Sequence, residues 1–191
     1  MAGTDADHWF KLPKDRKAQP GDMPRIMEIF EDAKKYMREH GNRNQWNGAY
    51  PEESLIREEI GKEHCYVIGD SDRITDAGTK VIATFCFIPG IDPTYDIIYD
   101  GHWLNDEPYG TIHRLASDGS RHGIGKACID FCGRLTRNLR ADTHKDNLTM
   151  QNLLEGCGFR RCGIIHLQNG DERIAYHKLC QCDSGGNGMQ A

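Results

Sequence analysis

The sequence contains no apolar run that approaches the roughly 20 residues needed for a membrane-spanning helix. The N-terminal residues MAGTDADHWF lack the basic and then apolar pattern of a secretory signal. Basic residues are outnumbered, with 24 Lys and Arg against 29 Asp and Glu, whereas nucleic-acid-binding domains usually present a basic surface. We therefore expect a cytoplasmic protein that binds neither a membrane nor a nucleic acid.

The chain also lacks any Cys-x-x-Cys pair, although it has eight cysteines. Cys86 lies inside the apolar run VIATFCFI, and Cys128 and Cys132 stand at helical spacing, where free thiols pack as small apolar groups. A Cys-x-Cys at 180–182 stands alone, and tetrahedral zinc would need further ligands. We expect reduced thiols and no metal site.

Strand-like and helix-like segments alternate between residues 16 and 179, which we predict to form one domain between a flexible leader (1–15) and a flexible tail (180–191). Apolar residues at three- and four-residue spacing predict helices over 22–40, 52–63, 123–138 and 147–157. Runs rich in β-branched and aromatic residues predict strands over 64–70, 80–90, 111–116 and 139–144, and a hairpin over 162–179. The predicted fold class is α+β with α/β/α layers, and the hairpins argue against a wholly parallel sheet.

Two stretches are predicted as loops. The polar segment SDRITDAGT joins the strands at 64–70 and 80–90. The segment at 91–110, IDPTYDIIYDGHWLNDEPYG, mixes aromatic residues with Asp, Pro and Gly, which is typical of a loop over a pocket or of a surface excursion.

A glycine-rich turn, SRHGIGK (120–126), lies between the strand at 111–116 and the helix that follows. Glycines allow close approach of the backbone, and a helix N-terminus offers unpaired N–H groups, so the turn suits a phosphate or diphosphate. It does not match a Walker A loop, because Ser120 and Ala127 stand where glycine and the Mg²⁺ ligand belong. Cys128 likewise breaks the dinucleotide fingerprint. A turn that only connects strand to helix remains the alternative.

The Gly123-x-Gly125 spacing is similar to the acyl-CoA diphosphate loop of the GNAT family of N-acetyltransferases, which reads Gln/Arg-x-x-Gly-x-Gly/Ala. Here Ser120 takes the first position and the arginine moves to the second. Downstream, the segment from Asn147 to Phe159 resembles the family's next motif, an asparagine that opens a helix ending in Gly-Phe. On simple chemistry Asn147 is equally a helix N-cap.

The resemblance implies a mixed, mostly antiparallel twisted sheet with splayed central strands. It also implies acetyl transfer from acetyl-CoA to a primary amine, by direct attack in a ternary complex. The backbone N–H of Leu115 would then stabilise the thioester oxygen. The diphosphate and the adjoining arm of acetyl-CoA would bind a set of residues made of Ser120, Arg121, His122, Gly123, Ile124, Gly125, Lys126 and Asn147.

Candidates for the proton acceptor lie at the ends of the two central strands. Histidine is the usual residue for proton transfer at neutral pH. His113 should share a strand face with Leu115, because side chains alternate along a strand. Asp142 and His144, two residues apart, would bind an ammonium or relay its proton. Each histidine has the alternative of a structural hydrogen bond. Four residues of the loops would line a substrate mouth or anchor those loops: Trp46, Tyr50, Trp103 and Asp106.

Many family members carry a tyrosine on the last helix that protonates the leaving thiolate, but this position holds Leu154. The sequence therefore keeps open a second function, that of an acyl-CoA-binding sensor or scaffold without turnover. The expected partner is a small-molecule or peptide amine. The sequence leaves open which amine it is, whether the acyl group is acetyl or longer, and whether the chain forms a homodimer.

Overall fold

A computed structural model describes residues 15–75 and 78–180; almost all of the predicted leader and tail lies outside these residues. A short strand and a 3₁₀ turn (Pro20–Asp22) open the fold. The elements in chain order are β1 (Asp15–Lys17), α1 (Met23–Glu39), α2 (Glu53–Gly61), β2 (Cys65–Thr75), β3 (Gly78–Pro89), β4 (Gly110–Ser117), α3 (Ile124–Leu135), β5 (Asn138–Thr143), α4 (Leu148–Gly156), β6 (Arg160–His166) and β7 (Glu172–Leu179).

The seven strands form one sheet in the order β1-β2-β3-β4-β5-β7-β6. Only β4 and β5 are parallel neighbours among the described strands, and the other five pairs are antiparallel. The predicted α+β class and the mixed, mostly antiparallel sheet are therefore confirmed.

Helices cover both faces of this sheet. The core on one face contains Ile124, Cys128 and Ile129 of α3 and Leu154 of α4. The core on the other face contains Ile26, Ile29 and Phe30 of α1, with Ile56 of α2, and these α1 residues stand at the apolar spacing typical of a helix that buries one face. The seven described cysteines are free thiols, and five of them are buried as apolar residues would be. No helix in the described ranges combines the length and the apolar character that crossing a bilayer requires.

The two central strands separate within the sheet. The pairing of β4 with β5 covers three residue pairs and ends at Ile112 and Ala141. Both strands continue beyond this point, so a V-shaped gap opens between them. His113 and Asp142 are the first residues past the last pair, which places them at the vertex of the gap.

The hairpin of β2 and β3 is longer than predicted. Its strands continue through the segment predicted as a loop, to Thr75 on one side and from Gly78 on the other. The register shifts twice, between Ile68 and Gly69 and between Asp70 and Ile74. These irregularities and the exposed polar residues remove the apolar alternation by which a strand is recognised in sequence.

The loop between β3 and β4 packs along the sheet. Tyr99 forms an antiparallel bridge with Ile164 of β6, and Tyr95 is buried against Ile165 and Ala175. The guanidinium of Arg140 lies between the rings of Trp103 and Tyr109, at 4.1 and 3.9 Å from their centroids. The loop is therefore anchored on the last three strands of the sheet.

Candidate functional site

A cleft of ≈ 1180 Å³ runs through the gap between the central strands. The glycine-rich turn and α3 line one end of the cleft, and α4 lines its wall. The other end is lined by α1, the loop after α1, Asp92, Asp142 and Arg173. The cleft thus joins the predicted diphosphate loop to the vertex of the gap.

The two glycines of the turn serve different purposes. Gly123 has φ +79°, a left-handed conformation in which glycine is favoured, and it begins α3 as its N-cap. A Cβ added to Gly125 would lie 2.6 Å from Leu153 Cδ2, so Gly125 lets α3 approach α4 closely. Within the described ranges, no hydrogen bond is found for the amides of Gly123, Gly125 and Lys126. These amides at the positive end of α3 can receive an anion.

Two of the predicted ligands have internal partners instead. The amide of Ser120 donates to Asp118 Oδ1 at 2.9 Å, and Arg25 donates to the other oxygen of Asp118 at 2.6 Å. The guanidinium of Arg121 contacts both oxygens of the fully buried Asp70, at 2.8 and 3.1 Å. The hydrogen bonds of Ser120 and Arg121 hold the turn against α1 and the β2–β3 hairpin, and no local sequence pattern indicates these partners.

A β-bulge interrupts β4 inside the cleft. His113 pairs with Cys86 and Ala116 with Thr84, so Arg114 and Leu115 together face the single residue Phe85. Arg114 has φ +54°, which is unusual for a residue with a side chain. The expectation that His113 and Leu115 share a face is wrong: Leu115 packs in the α3–α4 core, while His113 lies opposite Cys86 of the α1–α2 core. The extra residue at a bulge interrupts the hydrogen bonds between the two strands. A backbone N–H can donate to a ligand only where it is not used by the neighbouring strand.

Arg114 and Glu59 are buried in the cleft and were missed by the sequence analysis. Arg114 Nη2 lies 3.2 Å from Glu59 Oε1, and Glu59 Oε2 lies 3.1 Å from His64 Nδ1. Burial alone would lower the pKa of Arg114, but the nearby side chains of Cys86 and Tyr50 raise it by a larger amount. The net pKa is raised, so the guanidinium stays charged. In the sequence, Arg114 is simply one residue of the predicted strand at 111–116. Nothing in the neighbouring residues indicates that its ion-pair partner comes from α2.

His113 is oriented by Asp92, another residue that the sequence analysis missed. His113 Nε2 lies 3.0 Å from Asp92 Oδ2. Asp92 Oδ1 accepts from the amide and the hydroxyl of Thr94, at 2.9 and 2.7 Å. Burial raises the pKa of Asp92, but the hydrogen bonds from His113 and Thr94 prevail and lower it to about 2. Because an ionised carboxylate only accepts, Nε2 carries the hydrogen of this contact, and in the neutral ring the lone pair is therefore on Nδ1.

Asp142 lies on the same sheet face as His113. Its Oδ2 accepts a hydrogen bond from Tyr95 Oη at 2.8 Å, and its side chain is 11% exposed. The ring centroid of the buried Tyr95 is 6.4 Å from that of His113. Tyr95 thus fills the space behind the vertex of the gap and lies against both candidates.

His144 does not lie in the cleft with His113 and Asp142. Its Nδ1 accepts from the amide of Asp146 at 3.2 Å, and the residue does not line the cleft. Burial, followed by the charge of Arg173, lowers the pKa of His144 and so favours the neutral ring. The structure therefore does not bring Asp142 and His144 together in the cleft. For His144, the alternative of a structural hydrogen bond fits better.

The asparagine motif is a helix cap. Asn147 Oδ1 accepts from the amide of Met150 at 3.1 Å, and its Nδ2 donates to Gln45 Oε1 at 2.8 Å. Leu154 is buried and lines the cleft, so this position offers no phenol. Tyr36 of α1 does reach the cleft, with its Oη 3.3 Å from Thr149 Oγ1 of α4.

The four aromatic and acidic loop residues divide into two pairs. Trp46 and Tyr50 line the cleft, as predicted for a substrate mouth. Trp103 and Asp106 lie outside it, and Trp103 donates from Nε1 to the carbonyl of Tyr95 at 3.0 Å, which makes it a loop anchor. The described residues contain no group of three or more His, Cys, Asp or Glu side chains placed to hold a metal ion.

Comparison with known proteins gives no matching family model and no matching curated protein. Solved structures do match. A GNAT-family acetyltransferase from Streptococcus agalactiae is 30% identical, with a TM-score of 0.74 over 88% of this chain and 96% of that chain.

More distant structures share the fold. A GNAT-family acetyltransferase from Listeria monocytogenes is 20% identical, covering 87% of this chain and 94% of its own, with a TM-score of 0.60. NAA60 from Arabidopsis thaliana, solved with a bisubstrate analogue, is 15% identical, covering 87% and 97%, with a TM-score of 0.56. The chain belongs to the GNAT family of acetyltransferases.

Proposed function

We propose that this chain is an acetyl-CoA-dependent N-acetyltransferase that transfers the acetyl group to a primary amine by direct attack in a ternary complex. One observation carries the proposal: a single cleft connects the unpaired amides at the start of α3 with the His113–Asp92 pair at the vertex of the gap. A donor bound along the cleft and an amine entering from the other end would meet at this vertex.

The amides of Gly123, Gly125 and Lys126 are the proposed diphosphate ligands. Each hydrogen bond from an amide to a charged oxygen contributes about 1.5–3 kcal/mol. The Ser120 amide and the Arg121 guanidinium, with their bonds to Asp118 and Asp70, hold the turn in place rather than bind the ligand. The side chains of His122 and Lys126 are exposed beside these amides, and the ammonium of Lys126 pairs with Asp130 of α3.

His113 is the proposed base. An ammonium cannot attack, so the amine must first lose a proton, and Nδ1 of His113 holds the lone pair that accepts it. Asp92, ionised over the working pH range, stabilises the resulting imidazolium through Nε2. The Leu115 amide, at the bulge, is the proposed donor to the thioester oxygen as it becomes negative. A thiol with a pKa near ~8.5 leaves readily as thiolate, so the reaction does not depend on a phenol at Leu154.

A non-catalytic acyl-CoA sensor is the second candidate, and the leucine at position 154 is the observation that favours it. Calorimetry with acetyl-CoA, followed by thiol release across a panel of amines, separates the two functions. The enzyme proposal expects binding and amine-dependent thiol release, and it expects His113→Ala to lower turnover with little change in acetyl-CoA affinity. Binding without thiol release for any amine would favour the sensor, and no binding at tens of micromolar would exclude both.

A further inference from the structure

We propose that the preferred acceptor is a short diamine whose second, protonated nitrogen binds to the carboxylate of Asp142. This inference rests on the proposed N-acetyltransferase function and concerns which amine the cleft selects. The relevant feature is the carboxylate of Asp142, which is held in place by a hydrogen bond to one oxygen, while no donor among the described residues bonds to the other.

Asp142 is fixed in an orientation suited to a ligand. Its Oδ2 accepts from Tyr95 Oη, and Tyr95 is only 2% exposed, so the carboxylate cannot rotate freely. Its Oδ1 has Arg173 Nε at 4.0 Å, which is beyond hydrogen-bonding distance. Oδ1 remains accessible from the cleft, so a charged N–H donor of a ligand can reach it and form a charge-assisted hydrogen bond.

The charges around Asp142 also favour a cation. Away from the glycine-rich turn, six acidic and three basic side chains line the cleft: Asp32, Glu39, Glu59, Asp92, Asp142 and Asp171 against Lys35, Arg114 and Arg173. The ion pair with Glu59 offsets the charge of Arg114, and Arg173 is 3.7 Å from Asp171. Four acidic side chains, Asp32, Glu39, Asp92 and Asp142, then remain against Lys35, so this part of the cleft is negative. The aromatic rings of Trp46 and Tyr50 line the same cleft.

The attacking nitrogen and the charged nitrogen must be different atoms. Attack requires a neutral amine, whereas a neighbouring carboxylate favours the ammonium form. His113 and Asp142 divide these tasks, since both lie against Tyr95 on the same sheet face, one on each central strand. A molecule that uses both groups carries two nitrogens separated by a few carbon atoms.

The first experiment uses the unmodified protein. The kcat/KM with acetyl-CoA is measured for putrescine, for aminobutanol and for aminobutanoate, which share the reacting amine but end in an ammonium, a hydroxyl and a carboxylate. We expect putrescine to exceed aminobutanol by about ten-fold or more, because a buried charged hydrogen bond is worth at least that factor. We expect aminobutanoate to be the poorest. Similar values for putrescine and aminobutanol would overturn the inference while leaving the acetyltransferase function intact.

The second experiment tests whether Asp142 is the group responsible. Asp142→Asn should reduce the ratio of putrescine to aminobutanol to about one, and Tyr95→Phe should reduce it partly, because the phenyl ring keeps its place while the hydrogen bond is lost. Asp146→Asn is the matched control, since it removes a carboxylate just beyond β5 that does not line the cleft. An unchanged ratio in folded Asp142→Asn, shown by retained acetyl-CoA affinity, would contradict the assignment. Absence of transfer to every amine would refute the proposed function and this inference together.

Discussion

Glu59 of α2 and Arg114 of β4 form an ion pair of 3.2 Å inside the cleft, with side chains 8% and 9% exposed. Arg114 is also the residue of the bulge that adopts φ +54°. A left-handed conformation costs about 1–2 kcal/mol for a residue other than glycine. The ion pair therefore holds a strained backbone next to Leu115, whose amide is the proposed oxyanion donor.

Two substitutions of Arg114 separate its backbone from its side chain. Arg114→Gly and Arg114→Ala both remove the ion pair, but glycine adopts φ +54° readily and alanine does not. We expect the alanine variant to lose more turnover than the glycine variant, by about five- to thirty-fold, as 1–2 kcal/mol implies. Steady-state kcat with a fixed amine measures this difference. Equal losses in the two variants would mean that the guanidinium itself matters and the bulge geometry does not.

Gly123 tests the diphosphate loop. Gly123→Glu should weaken acetyl-CoA binding by about ten-fold or more, because it places a carboxylate beside the proposed phosphate ligands and strains a residue with φ +79°. Gly123→Gln has the same size and backbone strain without the charge, so it should weaken binding less. Calorimetric titration gives both affinities. If the folded glutamate variant bound acetyl-CoA as the parent does, the loop assignment would fail.

Asp92 tests the orientation of His113. Asp92→Asn removes the negative charge that faces Nε2 and permits the other tautomer of the ring, so Nδ1 no longer reliably holds the lone pair. We expect kcat to fall by about 10²-fold, within the range for general base catalysis, while the affinity for acetyl-CoA is kept. Asp96→Asn, an exposed position in the same loop, is the control. Parent-like kcat in Asp92→Asn would show that His113 acts without this carboxylate or does not act as the base.

His177 predicts how stability depends on pH. Burial, reinforced by the charge of Arg140, lowers the pKa of His177 to about 4, and its Nδ1 accepts from the amide of Leu104 at 3.2 Å. Between this value and the unfolded pKa near ~6.5, the unfolded chain binds a proton that the folded chain does not. The free energy of unfolding should therefore fall as pH drops from about 6.5 towards 4, by about 1–3 kcal/mol from this residue.

Urea unfolding at pH 7 and pH 5 measures this loss of stability. The control is His177→Gln, which should flatten the change because glutamine does not titrate. If the free energy of unfolding falls by the same amount between pH 7 and pH 5 in the parent and in His177→Gln, the pH dependence comes from other groups.

The sequence predicted the elements that obey local rules, and it could not predict contacts between distant segments. Gly123 and Asn147 were identified because a left-handed N-cap and a capping side chain leave local signatures. His113 was identified by its strand position, but Asp92 lies 21 residues away in an irregular loop. Glu59 and Arg114 are 55 residues apart, and the bulge that turns Arg114 towards Glu59 has no apolar pattern.

The long loop that carries Asp92 and Tyr95 is fastened by residues that do not line the cleft: Arg140 lies between Trp103 and Tyr109, and His177 accepts from the amide of Leu104. Loss of this anchor would misalign Asp92 and Tyr95, and with them the proposed base and the proposed ammonium-binding carboxylate, although neither Arg140 nor His177 lines the cleft. Loss of turnover in variants at Arg140 or His177 would then reflect a loop that is no longer anchored. A screen that scored activity alone would mistake these residues for catalytic ones.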